Sequence, residues 1–225
     1  MKNVIITPAV GLKSKDVEFF LKSLRKYYKD DIYFLVGKKD SDLKKTLNLY
    51  ETNFHEVNDH GHDIQLKRYR YFSQILEKNK KKYDKVLFCD CRDIYFQRNP
   101  FSYEYQGAIN FFLEDIPFKN CSINSEWVIN TFGIKIYEDL KDKIVCCGGT
   151  IIGNSLEMIK WLNLMDSLIL KYPFKKRLKY LFTFRRDKKG RGCDQAHGNY
   201  IVYKNFFKNG HLYSNKEGPI ATVFY

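Results

Sequence analysis

Apolar and polar positions divide the chain into short apolar runs that alternate with longer, one-faced stretches. Asn3 to Thr7 is a β-branched run that stops at Pro8, with Gly11 close behind, so it predicts a strand opening into a tight loop. From Ser14, the expected N-cap, apolar residues recur at Val17, Phe20, Leu21, Leu24 and Tyr28. That spacing is a helix with one buried face, and Asp16 and Glu18 sit well in its first turn. Ile32 to Val36, stopped by Gly37, predicts a second strand; a short helix with Leu43 and Leu47 follows, then a weaker strand from Phe54 to Val57. The next helix, Ile64 to about Lys80, turns Tyr69, Phe72, Ile75 and Leu76 inward and sends Lys67, Arg68 and Arg70 toward a crevice or solvent. Alternation of this kind argues an α/β fold with a parallel sheet wrapped by helices.

The apolar run Val86-Leu87-Phe88-Cys89 reads as a buried central strand, and it ends on Asp90 and Asp93, which flank Arg92. Gly107 to Leu113 predicts a further strand that runs into Glu114-Asp115 and a polar turn at Pro117, and a short helix starting at Ser125 is expected to end at Gly133. Ile144 to Gly153 is apolar apart from Gly148, Gly149, Thr150 and Gly153, a pattern that brings backbone close to a ligand or to another strand. A core helix from Leu156 to Leu170 follows, with Ser155 as its cap. Cys193-Asp194-Gln195-Ala196 then opens a helix with Asp194 as the expected N-cap, and Gly218 to Tyr225 reads as a short terminal strand.

Composition narrows the class. At 225 residues with 44% hydrophobic content the chain is long enough for one well-buried core and is read as a single domain. No run approaches a membrane span and MKNVIITPAV lacks a signal-peptide pattern, so a cytoplasmic protein is expected. The six cysteines show no paired CxxC spacing and read as reduced residues in or beside apolar runs. Net charge is +13, and ten Lys/Arg against one Asp fall between Lys171 and Gly192, interleaved with aromatic residues. That segment, 171–192, suits peripheral contact with an anionic membrane at its inner face, or with an anionic acceptor, and nucleic acid is not the expected partner. A solvated loop has the same composition.

Candidate chemistry centres on Asp90 and Asp93. Ligands of open α/β sheets bind beyond the carboxyl ends of the strands, and two carboxylates there suit a hard divalent cation, Mn2+ or Mg2+, whose shell is completed by substrate phosphates. Equally, the pair can cap a turn and bridge to Arg92 or Arg98. The loop Thr7, Pro8, Ala9, Val10, Gly11 can admit a nucleotide base, and a guanidinium from Arg68 or Arg70 can meet a diphosphate. His60 and His62 lack further ligands at suitable spacing and read as part of a loop; His211 is the late histidine that could reach a metal.

Three blocks, in order, resemble one family. KVLFCDCRDIYFQRNPF resembles the strand-end D-x-x-D…F-Q-x-x-P-F block of GT-A-fold glycosyltransferases, CCGGTIIGNSLEMIKWL is similar to their N-S/A-G-x-x-x-G-S block, and CDQAHGNYIVY is similar to their D-Q-x-x-x-N helix start. The resemblance implies a Rossmann-like three-layer GT-A fold with a central, mostly parallel or mixed sheet flanked by helices, with a nucleotide-binding half about 1–101 and an acceptor and sugar-side half about 102–225. It implies a nucleoside diphosphate sugar donor, a UDP-sugar above all, and a glycan or lipid-linked acceptor. Asp90 and Asp93 correspond to the metal-binding acids, though Asp-Cys-Arg-Asp departs from Asp-x-Asp, and Arg92 falls within the donor-binding set. Gly148 and Gly149 correspond to the small residues beside the donor sugar, with Cys147 departing from the usual Asn or Ser. Asp194 and Gln195 correspond to the catalytic-side Asp-Gln pair, which can hold donor hydroxyls or, if the enzyme inverts, let Asp194 act as general base on the acceptor hydroxyl. His211 or water would take the place of a metal-binding histidine. A sugar-phosphate nucleotidyltransferase and a non-enzymatic anionic-surface binding module are the rival readings.

Overall fold

The computed structural model of the chain describes residues 1–58, 62–171, 192–215 and 217–222. Strand and helix alternate from the start: β1 (Lys2–Pro8), α1 (Ser14–Arg25), β2 (Asp31–Gly37), α2 (Ser41–Leu49), β3 (Asn53–Val57), α3 (His62–Lys78) and β4 (Tyr83–Cys89). Then follow β5 (Ile94–Phe96), β6 (Ile109–Pro117), α4 (Ser122–Phe132), α5 (Ile134–Leu140), β7 (Ile144–Asn154), α6 (Ser155–Lys171), α7 (Cys193–Tyr203), β8 (Gly210–Tyr213) and β9 (Ile220–Thr222). A seven-stranded sheet in the order β3-β2-β1-β4-β7-β6-β8 forms the middle layer, and β5 pairs with β9 in a separate ribbon.

The sheet is mixed. β1 to β4 run parallel, whereas β7 lies antiparallel to both β4 and β6. Successive residues of a strand face opposite sides, and the two faces have separate cores. Val4, Ile6, Val86 and Phe88 pack with Tyr69 and Phe72 of α3 and Trp161 of α6. Ile5, Leu87 and Cys89 pack with Phe20 and Leu24 of α1, Phe96 and Phe101. A third cluster under α4, around Phe118, Val128 and Ala196, supports the far side of the crevice.

Several boundaries differ from those read off the sequence. β6 continues through Glu114 and Asp115 to Pro117, so this acidic pair lies within a strand and not at its end. The glycine-containing stretch is one eleven-residue strand, β7, and Gly153 is where two strands meet: a Cβ there would lie 2.8 Å from the Ala108 carbonyl oxygen. α4 begins at Ser122, three residues before the expected start. Lys13 and Gly192, not Ser14 and Asp194, occupy the N-cap positions of α1 and α7. Cys89, Cys91 and Cys146 are buried, while Cys121, Cys147 and Cys193 are partly exposed. The basic segment falls almost wholly outside the described residues, as does His60. No helix among the described residues is long and apolar enough to cross a membrane.

Candidate active site

β4 pairs with β7 only as far as Cys89 opposite Thr150, so Asp90 emerges where β4 ends and β7 continues. The Asp90 amide donates to the Gly149 carbonyl at 2.8 Å, which fixes the turn. The carboxylate lies against Gly149, where a Cβ would come within 2.7 Å of Asp90 Oδ2. Beside it, the Cys91 thiol donates to the Pro8 carbonyl at 3.2 Å and ties the acidic turn to the loop after β1. That loop is itself held by Asp40, whose Oδ2 accepts from the Gly11 and Gly37 amides at 2.9 and 2.7 Å. Thr7 and Ala9 are buried under the loop, and Val10 is partly exposed. Asp93 is partly buried, and desolvation, with the neighbouring Asp90 charge, pushes its carboxyl above the usual range.

Arg68 is the centre of the arrangement. It comes from the second turn of α3 and is buried, with its guanidinium over the rings of Phe88 and Tyr69 at 5.1 and 5.2 Å. Nη1 donates to Asp90 Oδ1 and Nη2 to Asp194 Oδ2, both at 2.8 Å. Tyr69 donates its phenol to the same Asp194 oxygen at 3.2 Å. Burial drives that phenol well above its ordinary value, against the pull of Arg68, so Tyr69 stays a donor. Burial also works against the guanidinium charge, but Tyr69, Asp90 and Asp194 more than offset it. A single cation therefore joins the end of β4 to the start of α7.

The D-Q-x-x-x-N helix start serves three anchors. Asp194 goes to Arg68. Gln195 Nε2 donates to Glu114 Oε1 at 3.0 Å and to Asn124 Oδ1 at 2.9 Å, which orients the amide so that its Oε1 faces Gly148. Asn199 takes the place of a missing strand: its Oδ1 accepts from the Cys146 amide at 2.7 Å and its Nδ2 donates to the Cys146 carbonyl at 2.9 Å. α7 can start where it does because Gly192, at φ +89°, passes the indole of Trp127, where a Cβ would lie 1.9 Å from the ring.

Asp90, Asp93, Arg68, Asp194, Gln195, Gly148 and Gly149 are thus brought to one end of the sheet, with the Thr7 to Gly11 loop alongside. Arg68 is not a free phosphate ligand but the clamp between two acids. Arg70 points elsewhere, its Nε donating to Asp166 of α6 at 3.1 Å. Arg92 is exposed beside Asp93. His211 is not part of the cluster: it pairs with Asn110, across from Ile152 and then Leu87, three strands from β4, or about 14 Å sideways at the usual strand spacing. Its ring packs on Tyr213 at 4.6 Å. The two glycines make room for Asp90 and Gln195 themselves. Glu114, Asn124 and Asn199 are the residues that sequence reasoning did not place here; the one available signal was Glu114 as the acid of a second strand on the same side.

Asp93 and an oxygen of Asp90 fit a divalent cation of the Mg2+ or Mn2+ type, which takes one or two carboxylates and fills its shell with phosphate oxygens and water. Burial first, and then the Asp90 charge, raise the Asp93 carboxyl. Among the described residues no group of three or more His, Cys, Asp and Glu gathers around one point. A small pocket lined by Tyr69, Cys147, Gly148, Trp161 and Asp194 opens beside the clamp. The protein is an α/β protein with a seven-stranded mixed sheet flanked by helices, consistent with a Rossmann-like three-layer fold, and Asp90 and Asp93 follow the carboxyl end of its central strand. No protein-family model matches the chain, and no curated protein matches it.

Proposed function

We propose that the chain is a GT-A-type glycosyltransferase that moves a sugar from a nucleoside diphosphate sugar, best a UDP-sugar, to a hydroxyl of a glycan or lipid-linked acceptor. The observation that carries this reading is the Asp90–Arg68–Asp194 bridge beside Asp93. It sets an acid pair for a diphosphate-bound cation beyond the carboxyl ends of β1 and β4, where the strand order reverses and open α/β sheets take their ligands. Bound there, Mn2+ or Mg2+ would neutralise charge developing on the departing diphosphate. The protein's own part is positional. Arg68 fixes the Asp90 carboxylate, and the loop from Thr7 to Gly11, stiffened by Asp40 and Cys91, offers a ready-made seat for the base. Gln195 and Glu114 face the crevice from the acceptor side. The basic segment 171–192 remains the proposed contact for an anionic membrane or acceptor on its sequence alone.

The test is a thermal-shift panel of UDP-, GDP-, CMP- and TDP-sugars, each with and without Mn2+. A ligand that binds the native state raises the melting temperature by mass action. One nucleotide is expected to raise it only when metal is present, and the shift is expected to vanish in Asp93→Ala. No metal-dependent shift with any of the four would overturn the reading.

A further inference from the structure

Asp194 is the acid that the sequence offers as a general base, but its geometry assigns it other work. Its side chain is only 12% exposed, and Oδ2 already receives both Arg68 Nη2 and the Tyr69 phenol. Glu114 is placed differently. It lies on β6 beside the start of β7, where β7 runs past the end of β4, and it is held by the Gln195 amide whose Oε1 lies over Gly148. Its hydrogen-bond partner is the neutral Gln195 amide, and no cation pairs with it among the described residues. Burial pushes the Cys147 thiol up to about 12, and Glu114, Asp90 and Asp93 all add to the rise, so the three acids lie within electrostatic reach of it.

We infer that Glu114 is the proton acceptor for the incoming hydroxyl, and that Glu114, Gln195 and Asn124 form the acceptor subsite. The inference rests on the glycosyl-transfer reading above. The Gln195 amide, fixed by its two acceptors, leaves Oε1 directed at Gly148, where it can accept from a second hydroxyl of a sugar. In the step itself the acceptor O–H proton passes to a Glu114 carboxylate oxygen, and the acceptor oxygen bonds to the anomeric carbon. The bond from that carbon to the diphosphate oxygen breaks, and its electron pair leaves with the diphosphate. A single displacement of this kind inverts the anomeric centre. Burial raises the Glu114 carboxyl, against the pull of the Gln195 hydrogen bond, toward the range where a base accepts protons well.

The experiment compares wild type, Glu114→Gln, Glu114→Asp and Asp115→Asn with Mn2+ and each of UDP-glucose, UDP-galactose, GDP-mannose and TDP-glucose. Nucleoside diphosphate release is followed with water alone, with mixed free hexoses and with sodium azide. Azide is already an anion and needs no base, so it separates proton transfer from everything else. Glu114→Gln keeps the shape and can keep the Gln195 hydrogen bond. It is expected to lose about 100-fold with water and hexoses, to stay within about threefold of wild type with azide, and to keep its metal-dependent nucleotide binding. Glu114→Asp is expected to recover part of the loss, and Asp115→Asn to behave as wild type. Equal loss with azide, or no loss with hydroxyl acceptors, overturns the assignment of Glu114. No release from any donor by wild type overturns the glycosyl-transfer reading itself, and this inference with it.

Discussion

Replacing Arg68 by Met removes the guanidinium that bridges Asp90 and Asp194 while keeping much of the side-chain volume. The two bridges are not equivalent. Against Asp194 both partners are sheltered, 9% and 12% exposed, so loss of the guanidinium strands a buried carboxylate. Against Asp90 the exposures are 9% and 38%, and water screens much of that pair. Breaking a buried pair on one side costs about 3–5 kcal/mol, and the open Asp90 side places this case near the lower end. Arg68 Nε is buried without a partner among the described residues, which already subtracts from what the wild-type bridge contributes. A loss of about 3 kcal/mol corresponds to roughly 6–12 °C in melting temperature for a chain of this size. The assays are thermal melting and urea unfolding, both followed by circular dichroism and run alongside Asp194→Asn and the double variant. Because both substitutions act on one bridge, the double variant should lose less than the sum of the singles, by about 0.5–3 kcal/mol. A drop below about 3 °C for Arg68→Met, or simple additivity, would refute the clamp.

Other expectations follow from the same geometry. Gly149→Ala puts a Cβ 2.7 Å from Asp90 Oδ2 and should abolish the metal-dependent nucleotide shift. Gly148→Ala, with its nearest contact the end of Gln195 at 3.3 Å, should only weaken that shift, and equal effects by calorimetry would count against this packing. Asp93→Ala should lose donor turnover at least 100-fold with its circular dichroism spectrum unchanged; retained turnover would remove Asp93 from the site. Away from the crevice, Asp31 is partly desolvated, yet hydrogen bonds from Lys82 and Tyr83 at 2.6 and 2.5 Å hold its carboxyl below the usual value. The folded state therefore binds this proton less readily than the unfolded chain does, and the stabilisation is present above about pH 4 and is lost as pH falls through the lowered value. Asp31→Asn should melt lower than wild type at pH 7 and converge with it as pH falls through the lowered value; parallel curves would be the contrary result.

The sequence pattern carries the local part of this structure well and the long-range part poorly. β1 to β4 and the helices between them follow from periodicity, because burial on one face is written every second or every third to fourth residue. The acids after Cys89 are legible for the same reason. β7 is not legible as antiparallel, since a strand buried on both faces reads the same in either direction. Nor is the partner of Arg68, which lies 126 residues away at Asp194 and is set by how α7 docks. Adjacent helical residues diverge by about 100°, so Asp194 and Gln195 reach different walls, a divergence that a motif read as a unit conceals. His211 shows the opposite error: a residue type suited to a metal, carried by its strand to the far edge of the sheet.

The reversed direction of β7 has a mechanical consequence. Its first residues, Ile144 to Cys146, project past the end of β4, with Ile144 and Cys146 paired to Pro117 and Leu113 of β6 on one edge and Asn199 bonded to Cys146 on the other. The base of this wall is a length of strand secured on both sides at Cys146. A ligand entering this crevice has little backbone freedom to extinguish on that side, so recognition there can begin from a surface already in its final shape.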